Sequence, residues 1–218
     1  MNRLLFEKTG SAVFISHLDL MRVFQRAFRR AGYLLHHTGG FNQHAYVSLA
    51  LPLSVGTASR CEILDFALDE PFDNGELRDR LNAALPAGVR VLSAYESERK
   101  LKCLTHLRAC LTLEYDAGVP EGCEAALAAL FSQQEIIVEK HTKRGMAEVD
   151  IKPMIKKLEL QKNDAHTVRI EAVVCAQNPS LNPMQLVAAI ERHAPAQKPD
   201  FASCMRLDVL EETGESFR

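Results

Sequence analysis

Leu20, Phe24, Ala27, Phe28 and Ala31 recur at helical spacing between Ser16 and Gly32, so this stretch folds as a helix whose apolar stripe has to be buried. Ser16 supplies an N-cap, Asp19 completes an acidic variant of the capping box, and Gly32 stands where a C-cap belongs. What flanks the helix decides where the stripe goes. Residues 3–6 begin a strand, and residues 12–15 extend it or pair with it across Thr9 and Gly10. After the Thr38-Gly39-Gly40 loop, residues 46–51 read as a buried strand ended by Pro52. Residues 60–68 alternate as another strand, beyond a turn of small residues at 54–59. Asp73 or Asn74 starts a second helix through Leu77, Leu81 and Leu85, Pro86 stops it, and residues 89–95 give a closing strand. The order is β-α-β-β-α-β, the ferredoxin-like unit.

The remainder repeats that order. Residues 104–115 form a strand, 120–131 an alanine-rich helix, and 135–140 and 167–175 further strands. A helix opens at Asn182-Pro183 with proline in its first turn, and residues 202–210 supply the last strand. The fold class expected is α+β: two tandem ferredoxin-like domains with antiparallel sheets. The first spans residues 1–99. The second spans 100–218, with an insertion near 141–160 and a loose tail over 211–218.

The 218 residues, 47 % hydrophobic and 25 % charged, are enough for one large core or two small ones. No apolar run approaches the roughly 18–20 residues of a membrane helix, and the opening residues MNRLLFEKTGS lack the apolar region of a secretory signal. A cytoplasmic protein with no membrane partner is expected. Cys61, Cys103, Cys110, Cys123, Cys175 and Cys204 lie far apart with no CxxC. That spacing points to buried thiols in a reducing compartment and away from zinc or iron–sulfur ligation. Neither a metal nor a cofactor is expected.

Charge is unevenly spread. Residues 1–60 hold seven Lys/Arg against two Asp/Glu, whereas residues 61–218 hold 19 against 26. A chain of net charge −2 that gathers its cations at one end is suited to hold an anion there. On the first helix Arg22, Arg26, Arg29 and Arg30 occupy adjoining positions, with Asp19 the one acid in that helix. Such guanidinium groups clamp successive phosphates, or else form a solvated face.

The loop after the helix adds Gly40 for close backbone approach, Phe41 for stacking, and Asn42 for a base edge or backbone clamp. The alternative is that Phe41 is core and Asn42 caps a turn. His17, His36, His37 and His44 cluster in sequence without an HxH or HExxH pattern. His17 and His44 are the weak candidates for acid–base catalysis, against a purely binding or structural role. Ser59 and Arg60 close the small-residue turn, a possible phosphate nest that lacks the order of a P-loop. Lys140, His141, Lys143 and Arg144 form a basic tip in the second half.

The run Phe14-Ile15-Ser16-His17-Leu18-Asp19-Leu20-Met21-Arg22, then Arg29-Arg30-Ala31 and Gly40-Phe41-Asn42-Gln43-His44, resembles the radical-SAM-linked family of uncharacterised bacterial proteins. Ser48, Pro52-Leu53, Gly56, Ser59, Glu62, Asp65, 85–89 and 149–153 continue the likeness, which is strongest over residues 3–95. Where the family reads GFNPHP, this chain has Gly40-Phe41-Asn42-Gln43-His44-Ala45 and lacks both prolines. The resemblance implies a radical SAM protein as partner, encoded beside or fused to such a chain, and an accessory rather than a catalytic role.

Three functions stay open on the sequence. The leading one is an RNA-binding accessory protein that works with a radical SAM enzyme in RNA modification or processing. Arg22, Arg26, Arg29, Arg30, Gly40, Phe41, Asn42, His44, Ser59 and Arg60 would be its RNA- or partner-binding residues. The others are a metal-independent endoribonuclease and a protein-interaction scaffold without RNA contact.

Overall fold

The computed structural model describes every residue except 42, 143 and 144, and leaves aside the side chains of 141 and 142. The basic tip around Lys143 and Arg144, and Asn42, therefore lie outside the described residues. The fold is α+β, with four α-helices among the described residues and mostly antiparallel strand pairing. The chain divides into two compact units, Met1–Cys103 with Ser216–Arg218, and Leu104–Glu215.

The first unit runs β1 (Asn2–Lys8), α1 (His17–Arg30), β2 (Val47–Leu49), β3 (Ala58–Phe66), α2 (Asn74–Ala84) and β4 (Val89–Glu96). Its sheet order is β4-β1-β3-β2. The helical stripe is buried as its spacing requires. Leu20, Phe24, Ala27 and Phe28 are inaccessible, with Phe24 edge-on to Phe6 at 4.8 Å and Phe28 against Phe66 at 5.1 Å. α2 adds Leu77 and Leu81 to the same core. Asp73 caps α2 by accepting from the Glu76 amide at 2.8 Å.

Residues 12–15, expected as strand, do not pair with β1. Gly10–Phe14 is a 3-10 turn. Two contacts hold it there. The Lys8 ammonium donates to the carbonyls of Val13 and Ile15 at 3.1 and 2.8 Å, and the Thr9 amide donates to Gly88 at 2.7 Å. Gly88 has φ +86°, and a Cβ there would strike the Thr9 carbonyl oxygen and come within 2.9 Å of Ala12 Cβ. No other residue fits.

The expected loose tail is anchored at its end. Phe217 is fully buried, with the Arg3 guanidinium 5.0 Å from its ring centroid. Arg3 is itself buried, donating to Asp65 at 2.7 Å and to Ser97 Oγ at 2.8 Å. An aromatic ring on a buried cation explains the order of this segment.

The second unit runs β5 (His106–Glu114), α3 (Cys123–Phe131), β6 (Ile137–Thr142), β7 (Gly145–Asp150), β8 (Ile155–Lys162), β9 (Thr167–Cys175), α4 (Gln185–His193) and β10 (Phe201–Leu210). Its main sheet is ordered β10-β5-β9-β8, and β6 with β7 forms a separate hairpin. The strand expected at 135–140 thus belongs to the hairpin, and β8, inside the expected insertion, takes the sheet position instead. α3 and α4 pack Leu127, Leu130, Leu186 and Ile190 into this unit's own core.

Breaking the Arg3–Asp65 pair strands a buried charge. Asp65→Ala should lower unfolding stability by about 3–5 kcal/mol in urea denaturation. Gly88→Ala should cost about 2 kcal/mol or more in the same measurement, from positive φ and collision together.

Candidate functional site

α1 begins with the Ser16 hydroxyl accepting from the Asp19 amide at 3.2 Å while donating to the Asp19 carboxylate at 2.7 Å. The Arg22 guanidinium donates to the same carboxylate at 2.8 Å. The Ser16 hydroxyl first, then Arg22, hold the Asp19 carboxyl below its ordinary range. Arg22 is therefore already paired. His17 sits in the first turn with its Nδ1 buried and without a hydrogen-bond partner.

α1 ends in a Schellman arrangement. The Tyr33 amide donates to the Phe28 carbonyl at 2.9 Å and the Gly32 amide to Arg29 at 3.1 Å. This folds Tyr33 back beside the last turn. Arg80 of α2 lies 5.7 Å from the Tyr33 ring centroid, and its guanidinium also approaches the Ala31 carbonyl at 3.5 Å. Burial, then the charge of Glu76, push the Tyr33 phenol upward. In exchange, Arg30 donates to the carbonyl of Ala84, at the end of α2, at 2.6 Å. Each helix thus receives a guanidinium from the other at its C-terminus.

These contacts divide the four arginines. Arg30 borders a shallow hollow of about 580 Å³ with Arg80 and Ala84. Arg26 and Arg29 line a different cleft of about 440 Å³, together with Gln25, Tyr33, His37 and Asp69. Among the described residues neither Arg26 nor Arg29 closes an ion pair. They are the two cations of the helix whose guanidinium groups remain unclaimed.

The cleft's opposite wall is built by local pairing. Leu35 bridges Leu68, His37 bridges Ala45, and the His36 amide donates to Ala67 at 2.9 Å. The His36 ring meets the Asp69 carboxylate at 2.7 Å. From the His37–Ala45 stem the loop 38–44 projects, closed by the Thr38 amide on the His44 carbonyl at 2.9 Å and by Thr38 Oγ1 against His44 Nδ1 at 3.1 Å. Gly40 in this loop has φ +102°, and Phe41 is fully exposed, not core.

Ser59 does not form part of a phosphate nest. It lies within β3, fully buried, its hydroxyl accepting from the Cys61 amide at 3.2 Å. Arg60, next to it, is exposed. The sequence cluster of histidines is parcelled out: His17 at the helix start, His36 on Asp69, His37 in the cleft, His44 on Thr38. Among the described residues no group of three or more His, Cys, Asp or Glu is arranged to hold a metal ion, and no helix is long and apolar enough to cross a membrane. Gln25, Tyr33, Asp69 and Arg80 were not singled out by motif. The Ala31-Gly32-Tyr33 order at a helix end is the signal for Tyr33, whereas nothing local marks Asp69.

A family model described as "Uncharacterized protein conserved in bacteria (DUF2344)" matches residues 2–183. The chain belongs to that family. Its matched region takes in the whole first unit up to Cys103, and so the cleft and the loop. No curated protein matches it in sequence. Among solved structures it is similar to a chain of the Cbf5-Nop10-Gar1 complex, with TM-score 0.50 and 11 % identity, over 97 % of this chain and 50 % of that one. The family member thus spans half the length of that neighbour, and the likeness is one of fold. An unknown protein from Galdieria sulphuraria aligns over 94 % of this chain and 96 % of that chain with 14 % identity and TM-score 0.27.

Ser16→Ala should cost about 1 kcal/mol of stability through loss of the cap. Phe41→Ala should change it by no more than about 0.5 kcal/mol, since the ring is fully exposed. Thermal melts of the two variants separate these outcomes.

Proposed function

We propose that this protein is an RNA-binding accessory module, with the α1 cleft and the 38–44 loop as its contact surface. One observation carries the reading: Arg26 and Arg29, without ion pairs, face a cleft from whose wall a glycine loop presents a fully exposed Phe41. Unpaired guanidinium groups hold phosphates, and an exposed aromatic ring stacks on an unpaired base. Gly40 and His44 belong to that loop, and Asn42, outside the described residues, is assigned to it from sequence. Arg22 and Arg60 extend the basic surface as exposed groups.

In this reading each unit is a ferredoxin-like domain, the second interrupted by the β6–β7 hairpin; the strand orders β4-β1-β3-β2 and β10-β5-β9-β8 support it. Six free cysteines support a reducing, cytoplasmic setting. Partnership with a radical SAM enzyme in RNA modification or processing is part of the proposal and rests on the motif resemblance. A second reading, a docking scaffold for that enzyme, draws on Phe14, Leu18 and Val55, all exposed. The Gly56 amide on the Val13 carbonyl at 2.9 Å brings the turn bearing Val55 to the segment bearing Phe14.

Filter retention of total cellular RNA tests the main reading. Arg26→Glu with Arg29→Glu should abolish retention while circular dichroism stays native. Arg26→Ala with Arg29→Ala should flatten the slope of log affinity against log salt by about 1.4, two phosphate contacts on a single strand. Phe41→Ala should weaken binding by about 1–3 kcal/mol. Unchanged retention in the folded double variant refutes RNA binding at this surface. Co-purification of the radical SAM partner that resists nuclease and fails in Leu18→Asp would favour the scaffold.

A further inference from the structure

The cleft contains more than a phosphate site needs. About 440 Å³ lies within the range of small-molecule sites, about 300–1,000 Å³, and suits one nucleotide better than a helix. Two guanidinium groups would suffice for a phosphate. Asp69, lining the same cleft, would repel one. Its carboxylate is nonetheless met by the His36 ring at 2.7 Å, and its backbone is tied by the Asp69 amide donating to the Leu34 carbonyl at 3.4 Å. A held acceptor among donors is the pattern of a nucleobase edge, not of a bare anion.

Which base follows from donor and acceptor order. A carboxylate has two acceptor oxygens and no donor. Guanine presents two adjacent N–H donors on its Watson–Crick edge, N1–H and the N2 amino group, and two acceptors, O6 and N7, for a guanidinium or amide. Adenine and cytosine each place a ring acceptor beside their amino group, which a carboxylate repels, and uracil has one N–H between two carbonyls. Arg26, Arg29 and Gln25 supply the complementary donors in the same cleft. Tyr33 supplies an aromatic wall stiffened by Arg80 at 5.7 Å from its centroid. The cleft is also open, so a base displaced from its stack can enter from a strand that continues past Phe41.

We propose that this cleft holds a single unstacked guanosine nucleotide, its Watson–Crick edge on Asp69, its base against Tyr33, and its phosphate on Arg26 or Arg29. This deepens the RNA-binding reading and rests on it for the biological ligand. It adds base selectivity, which that reading does not require.

Isothermal titration of the full chain with 5′-GMP, AMP, CMP and UMP tests the proposal, alongside RNA retention. GMP should bind at least about tenfold more tightly than the other three. Asp69→Asn should erase that preference without weakening inorganic phosphate competition. Asp69 is an exposed residue, so the variant should fold, and circular dichroism checks it. Equal binding of all four nucleotides would overturn the guanine assignment. RNA retention with no nucleotide binding would overturn the cleft as a base site and leave RNA binding intact. Loss of both in the wild-type chain would sink the two readings together.

Discussion

Lys8 is 1 % exposed and its ammonium hydrogen-bonds the Val13 and Ile15 carbonyls, which fixes the turn that leads into α1. Burial pulls the Lys8 pKa down from 10.5, and the nearby Glu62 opposes that shift. A lysine is tolerated here because two main-chain carbonyls, of Val13 and Ile15, accept hydrogen bonds from its ammonium. The same bonds stop the chain from continuing as strand and turn it at Gly10–Phe14. Ser16 then arrives in position to cap α1.

The positive charge at the amino end is consequently not all available to a ligand. Of its seven Lys/Arg, Arg3 and Lys8 are buried in the first unit. Arg3 holds Asp65 and covers Phe217, and Lys8 holds the turn. Arg22 is tied to Asp19 and Arg30 to the Ala84 carbonyl. A count along the sequence treats these groups alike. Folding separates cations that organise the unit from cations that face a cleft. The basic surface that remains is small.

Much of the framework was legible because amphipathic periodicity is local. The α1 stripe, the Asp73 cap, β9 and β10 all follow from spacing and from residues within a turn of one another. What failed was set at a distance. Ala12-Val13-Phe14-Ile15 has every strand preference, but Lys8 and Gly88 override it from other elements. β8 escaped notice because Lys156, Lys157 and Lys162 make it polar. It lies at one end of its unit's strand order, where lysines are common and side chains stay largely exposed. Phe217 looked like part of a tail because nothing near it in sequence predicts Arg3 beneath its ring. Likewise the arginines of the site were visible as a helical face, whereas Asp69 joins them through long-range pairing of residues 34–36 with 67–69.

The absence of acid partners along α1 bears less on function at Arg29 and Arg30 than at Arg26. The last turn of a helix carries about half a negative charge, which stabilises cations there without any carboxylate. Arg29 and Arg30 occupy that turn, and Arg30 further satisfies the end of α2. Both have a structural reason to be basic. Arg26 stands one turn earlier, beyond the reach of that dipole, and closes no ion pair among the described residues. A leucine-to-glutamine range of side chains would serve the helix as well at that position. Its charge, on a cleft that Asp69 also lines, is therefore the part of the site that folding does not explain.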